Sequence, residues 1–240
     1  ADQAVDLNVG RNFNLESSTQ SSQNIVGESV FSYTGLDRLA GIYTNAPLKQ
    51  ADGKNLATSI SIKVGGDTTL KAAEIQNNNG STRIQTHGNL NVGAIQTGVS
   101  NKGYANEKNY NYSTTQVDKG SSIQSQGTVD LSANKIQGKA VDIASQQGDI
   151  VLNAQHGISL ENGKNLHSTD IAMSAQSGGL LGSKTERNDV WKSDQSIANG
   201  LKAGGNIVMN TSQGDITAIH LNANAGESIQ VQAKNGNVTL

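Results

Sequence analysis

The sequence predicts an all-β solenoid, a parallel β-helix, on three observations: a strand phrase that recurs, a spacing near 21 residues, and apolar residues at period two. The phrase is a glycine, one or two polar residues, then apolar, polar, apolar, polar, small. It places Val129 and Leu131 after Gly127, Ile150 and Leu152 after Gly148, Ile207 and Met209 after Gly205, Ile229 and Val231 after Gly226, and Val238 and Leu240 after Gly236. Each copy has the alternation of a strand with one buried face, opened by a turn glycine. Strands this short cannot bury a face alone, so stacked copies must supply the core for one another.

The spacing selects among solenoids. Val129 to Ile150 and Ile150 to Ile171 are 21 positions, and Ile207 to Ile229 and Ile216 to Val238 are 22. An offset series through Val141 and Ile158 interleaves with these, so one period holds at least two strands. This is the coil of a β-helix, each strand pairing with its equivalent one coil away at about 4.8 Å. A leucine-rich repeat would need a leucine and asparagine ladder that is missing, and a helical repeat would need period 3.6.

Taken along the chain, the phrases stop and resume three times, at about residues 16–61, 97–122 and 178–202. Matching re-entries follow each break, through Ile62, Gly66 and Leu70, then Ile123, Gly127 and Leu131, then Leu201, Gly205 and Met209. The re-entry glycines lie 61 and 78 residues apart, which implies a larger unit of about three coils carrying one excursion. Stacked in register, all three excursions leave the same side of the rod. Setting them aside leaves about seven coils, or roughly 34 Å of rod at ~4.8 Å per coil.

The excursions hold the unusual side chains: Phe31, Tyr33, Tyr43, Tyr104, Tyr110, Tyr112 and Trp191, with Phe13 the one aromatic elsewhere. Polar and aromatic residues alternate over 109–114 and 30–33, the pattern of projecting hairpins. These seven residues are candidates for contact with a glycan or protein partner. The alternative is that they fold down and cover a flank of the rod. Leu36, Leu39 and Ile42 in the first and longest excursion have the spacing of a short helical turn, or of a sheltering lid.

Composition bounds the setting. The 240 residues include 27 Gly, 1 Pro and no Cys, with 34% hydrophobic and 16% charged residues, and the net charge is -2. A narrow β-helix needs only a thin core of Val, Ile, Leu and Ala, so placement at strand period favours order over disorder. No basic block marks a nucleic-acid surface. No apolar run approaches the roughly 18 residues of a membrane helix. No signal peptide is visible at Ala1, which implies a mature chain or an excised piece. Lack of cysteine suits passage through an oxidising periplasm, though many cytosolic proteins share it.

Catalysis and metal binding find little support. His87, His156, His167 and His220 have no zinc spacing, and no cofactor is implied. Asp67, Asp149 and Asp215 follow glycines without the tandem pattern of a calcium β-roll, so they are expected to bond backbone NH groups at turns. A polysaccharide-active site needs converging carboxylates. Coil stacking sets Asp130 beside Val151 and brings together only Asp149 and Asp170. No Gly-x-Ser-x-Gly elbow occurs.

The phrases around Ala203, Gly205 and Ile207 and around Ala225, Ile229 and Ala233, with the polar excursion at 177–185, resemble the haemagglutinin repeats of filamentous-haemagglutinin-like exoproteins, which include contact-dependent growth inhibition effectors of Gram-negative bacteria. The resemblance spans essentially the whole chain. It implies a right-handed parallel β-helix, two-partner secretion through an outer-membrane pore partner, and a place at the bacterial cell surface. It further implies an adhesin or toxin-delivery filament of which this chain is the repeat region, the secretion and toxin domains being absent. The expected function is non-enzymatic, with excursions that engage a receptor, glycan or outer membrane of the target cell and no nucleic acid or small-molecule substrate. A passive spacer and a β-helix polysaccharide-active enzyme are the alternatives.

Overall fold

The computed structural model describes residues 4–44, 58–176, 178 and 182–240. Among these there is no helix, and the chain winds through three parallel sheets in turn. The first sheet has seven strands, Val5–Val9, Thr58–Val64, Ser81–Thr86, Val129–Ala133, Ile150–Ala154, Ile207–Thr211 and Ile229–Ala233. The second also has seven: Phe13–Glu16, Thr68–Lys71, Asn89–Gly93, Lys135–Lys139, Ile158–Glu161, Ile216–Ala218 and Val238–Thr239. The third has six: Gly41–Thr44, Glu74–Asn77, Ser122–Ser125, Asp142–Ser145, Asn199–Ala203 and Leu221–Ala225. Within every sheet, strands neighbour their counterparts in the coil before and the coil after, which makes the body a parallel β-helix of seven coils, the last without a described third-sheet strand.

Period-two alternation sends every second side chain inward, and register stacks like on like. Leu7, Ile62, Ile84, Leu131, Leu152, Met209 and Val231 form one column in the first sheet. Ile42, Ile75, Ile123, Ile143, Leu201 and Ala223 form another in the third. The middle members of both columns are sealed from solvent. The expected pairs Val129 with Ile150, Ile207 with Ile229 and Ile216 with Val238 are register partners, and so are Asp130 and Val151. Ile150, however, pairs with Ile207, not with Ile171.

Between coils, turn residues act as staples. The Asp67 carboxylate accepts the Asn89 NH at 2.7 Å, Asp149 the Asn206 NH at 2.6 Å, and Asp215 the Asn237 NH at 2.7 Å; Asn12 does the same for Asp67 at 2.9 Å. The expected carboxylate–NH bonds are therefore present, and each reaches the next coil instead of its own turn. The stacking of Asp149 with Asp170 does not occur, because Asp170 belongs to a hairpin outside the coil.

Three hairpins interrupt the coils, and their limits differ from the breaks in the phrase rhythm. They run through Ser18–Val26 and Ser29–Arg38, Ile95–Asn106 and Asn109–Lys119, and Gly163–Gln176 and Lys184–Ile197. The first break, placed at 16–61, contains two coil strands, Gly41–Thr44 and the start of Thr58–Val64, while 45–57 with Pro47 lie outside the described residues. The third begins at 163 and not at 178. No helical turn forms over 36–42: Leu36 lies in a hairpin strand that runs to Arg38, and Ile42 lies in a coil strand. Gly66 lies between first and second sheets, whereas Gly127 and Gly205 lie between third and first, so the first re-entry is not equivalent to the other two.

All three hairpins leave at the corner between second and third sheets, on the first, third and fifth coils. The unit is two coils per hairpin, not three. On the second, fourth and sixth coils the same corner is turned by Ala72, Ala140 and His220, each left-handed with φ of 46°, 51° and 50°. Flanking hairpin roots close over this short corner. A Cβ on Gly120 would lie 1.7 Å from the Ala140 carbonyl oxygen, and one on Gly163 would lie 2.7 Å from the Ala140 Cβ. Buried Asp118 completes the joint, accepting Lys139 Nζ at 2.7 Å and the Lys164 NH at 3.0 Å.

Two measurements check this account. Asp149→Ala is expected to lower unfolding free energy by about 1.5–3 kcal/mol, the order for a hydrogen bond to a charged group, and an unchanged denaturation midpoint would refute the staple. Gly120→Ala is expected to cost about 1–3 kcal/mol by overpacking. Gly103→Ala is the control, since its Cβ would make an ordinary 3.5 Å contact within one hairpin.

Candidate binding face on the lateral sheet

The hairpins do not lie down on the rod. They pair side by side into one six-stranded antiparallel sheet, in the order Ser18–Val26, Ser29–Arg38, Ile95–Asn106, Asn109–Lys119, Gly163–Gln176, Lys184–Ile197. None of its side chains joins the buried core of the coils. Neighbouring tips are also tied: the Tyr104 NH donates to Ser29 Oγ at 3.1 Å, and the Ser174 NH to Asn109 Oδ1 at 2.9 Å.

Directly paired residues share a face and alternate residues lie opposite, so register assigns each aromatic to a side. One row across the sheet is Ile25, Val30, Lys102, Tyr112, Asp170 and Val190. Tyr104 and Tyr110, paired with each other, stand two residues from Lys102 and Tyr112 on this same face. The adjacent row, on the opposite face, is Asn24, Phe31, Asn101, Ser113, Thr169 and Trp191.

On the first face the tyrosines form a cluster. The Tyr110 and Tyr112 rings stack with centroids 4.6 Å apart. Lys102 Nζ sits 5.6 Å from the Tyr112 centroid and 6.0 Å from that of Tyr104, within range of a cation–π attraction to each. Tyr110 donates its hydroxyl to Asp170 Oδ1 at 3.1 Å. Partial burial, and then the bond to Asp170 and the repulsion of its charge, raise the Tyr110 phenol above its ordinary value. Partial burial and the negative charges of Glu28 and Glu107 do the same for Tyr104. Both shifts favour the protonated phenol. The next row on this face is Gln23, Ser32, Ser100, Thr114, Ser168 and Lys192, so a band of hydroxyls adjoins the rings.

The other predicted residues are dispersed. Phe31 and Tyr33, 41% and 51% exposed, stand on the first hairpin across the sheet from the tyrosine cluster. Trp191, 54% exposed, shares their face but lies four strands away, about 19 Å at strand spacing. It meets the His167 ring edge-on at 5.0 Å, and His167 Nδ1 lies 2.9 Å from Thr115 Oγ1. Trp191 therefore does not join Tyr104, Tyr110 and Tyr112. Tyr43 is no hairpin residue at all: it lies in Gly41–Thr44 on the rod and donates its hydroxyl to Glu74 Oε2 at 3.0 Å. Lys102 and Asp170 are the members that sequence reasoning missed; the turn at residues 107–108, which pairs Tyr104 with Tyr110, is the signal that brings Lys102 opposite Tyr112.

Among the described residues no three His, Asp or Glu side chains converge as metal ligands. Asp130 instead holds Arg83, whose Nη2 lies 2.9 Å from Oδ2.

Asp170→Asn is expected to lower the Tyr110 pKa toward the ordinary phenol value, read by ultraviolet titration of tyrosinate. A raised folded-state phenol pKa contributes stability that is fully present below the unfolded value and is lost as pH rises through the folded one. The variant should therefore flatten the alkaline fall of stability, and an unchanged titration would remove Asp170 from the cluster. Comparison with protein-family models, with curated proteins and with solved structures finds no match, so the functional reading rests on the geometry and the repeat pattern.

Proposed function

We propose that this chain is a rod segment of a secreted bacterial surface filament, non-enzymatic itself, whose lateral sheet engages a receptor, glycan or outer membrane of a neighbouring cell. The observation that carries the reading is the tyrosine face: Tyr104, Tyr110 and Tyr112 are gathered with Lys102 on a sheet that stands clear of the rod instead of covering it. Rigid rings, a cation and adjoining hydroxyls give a surface with apolar area and hydrogen-bonding capacity at low entropic cost. The use of acidic side chains supports binding over catalysis, since Asp67, Asp149 and Asp215 staple coils and Asp118 secures the hairpin joint. Export through an outer-membrane pore partner, and service as an adhesin or as a toxin carrier, belong to the filament as a whole.

The lateral sheet also favours a second reading, a passive spacer, because its unbroken pairing braces the rod with no partner present. Binding of the chain to intact Gram-negative cells separates the two. Joint replacement of Tyr104, Tyr110 and Tyr112 by serine, with circular dichroism unchanged, is expected to weaken binding by about tenfold or more, and Trp191→Ser to leave it intact. A parent chain that does not bind establishes the spacer.

A further inference from the structure

A second feature lies on the rod itself, away from the hairpins. Along the corner between first and second sheets runs an open groove of about 680 Å³. Its origin is a difference in turn length. Two residues, Asn134 and Lys135, separate the inward-facing Ala133 and Ile136 of the fourth coil, whereas three separate Thr86 from Leu90 and Ala154 from Ile158 on either side. The corner of the fourth coil is thus drawn in, and the groove passes over it from the first coil to the sixth.

The walls combine hydrogen-bonding side chains in register with the small apolar side chains of Val9, Val64, Ala133 and Ala154. Asn8, Lys63, Gln85, Ser132 and Asn153 form one row along the axis, one residue per coil. The side-chain amides of Asn8, Gln85 and Gln155 have no hydrogen-bond partner among the described residues, and Asn153 uses only its Oδ1, at 3.2 Å from Asn210 Nδ2. Asn134 at the notch is held in orientation by His156 Nδ1 at 2.6 Å and Asn89 Oδ1 at 3.2 Å. No aspartate or glutamate lines the groove, no aromatic does, and Lys63 is its one fixed cation.

That lining selects its occupant. A protein segment or lipid would need pockets for large apolar anchors, whereas the apolar lining here is confined to Val9, Val64, Ala133 and Ala154, and a polyanion would need several cations. Amides that offer donor and acceptor together are matched by vicinal hydroxyls; in the row they stand on alternate coils, at Asn8, Gln85 and Asn153, and successive coils are about 4.8 Å apart. An extended pyranose chain advances by slightly more than this per sugar. We propose that the groove binds a neutral, extended polysaccharide lying parallel to the rod axis, about one sugar per coil, without cleaving it.

The test is calorimetric titration of the whole chain with uncharged β-1,4-linked glucose oligomers from disaccharide to octasaccharide. Affinity is expected to rise with length and to level off near the hexasaccharide, with little dependence on salt. Ser132→Trp, which fills the notch from an outward-facing position, is expected to abolish binding, and Asn153→Ala to weaken it by about tenfold, 1.4 kcal/mol. Replacing Tyr104, Tyr110 and Tyr112 should leave this binding unchanged, so failure here and failure of the cell-binding reading are separate results. No binding by any uncharged oligomer, preference for a carboxylated one, or binding that survives both Ser132→Trp and Asn153→Ala would overturn the proposal.

Discussion

Strand spacing is one length, and two parts of this molecule must obey it together. A coil advances by about 4.8 Å along the axis, and a hairpin presents two strands that each occupy about 4.8 Å. Hairpins on every coil would collide, and hairpins on every third would leave an unpaired gap. On alternate coils they tile without remainder, and Ser18–Val26 through Lys184–Ile197 become one continuous sheet. The remaining details of the corner follow: a tight left-handed turn at Ala72, Ala140 and His220 on the bare coils, and space for no side chain at Gly120 and Gly163, where hairpin roots meet over Ala140.

The same constraint shapes the tyrosine face. Lys102 reaches Tyr112 within one hairpin, but Asp170 reaches Tyr110 from the next, and Val30 is brought in by the previous one. The ring cluster with Lys102 belongs to one hairpin, and pairing with the neighbouring hairpins adds Asp170 and Val30 to it, while Asp118 ties the root of that hairpin to Lys139. The tyrosine face toward the tips and the joints at the roots are linked through the backbone hydrogen bonds of the sheet.

Much of the rod was legible in the sequence because burial enforces period two, and coil stacking repeats it at near-constant spacing. Val129, Ile150, Ile207 and Ile229 announce the first sheet for that reason. Ile171 shows where such reasoning fails. It sits 21 residues after Ile150 in an alternating stretch, yet it pairs with Asp189 in the lateral sheet. Alternation reports that a strand has two unlike faces; it does not report which sheet the strand joins. Tyr43 misleads in the opposite sense, an aromatic on a coil strand whose hydroxyl is occupied by Glu74. The tyrosine trio was visible as a group, whereas the separation of Trp191 depends on a face assignment that only register supplies.

The lateral sheet also changes how the molecule carries force. Tension along the axis pulls coil from coil and loads the ladders between them. Each short parallel ladder in the rod has two to six residues in register, while the antiparallel ladders that join one hairpin to the next have five and eight. These ladders run beside the rod like a keel, so drawing apart the coils that they span has to break them as well. A filament assembled from such units transmits a pull at one end to the other with little give.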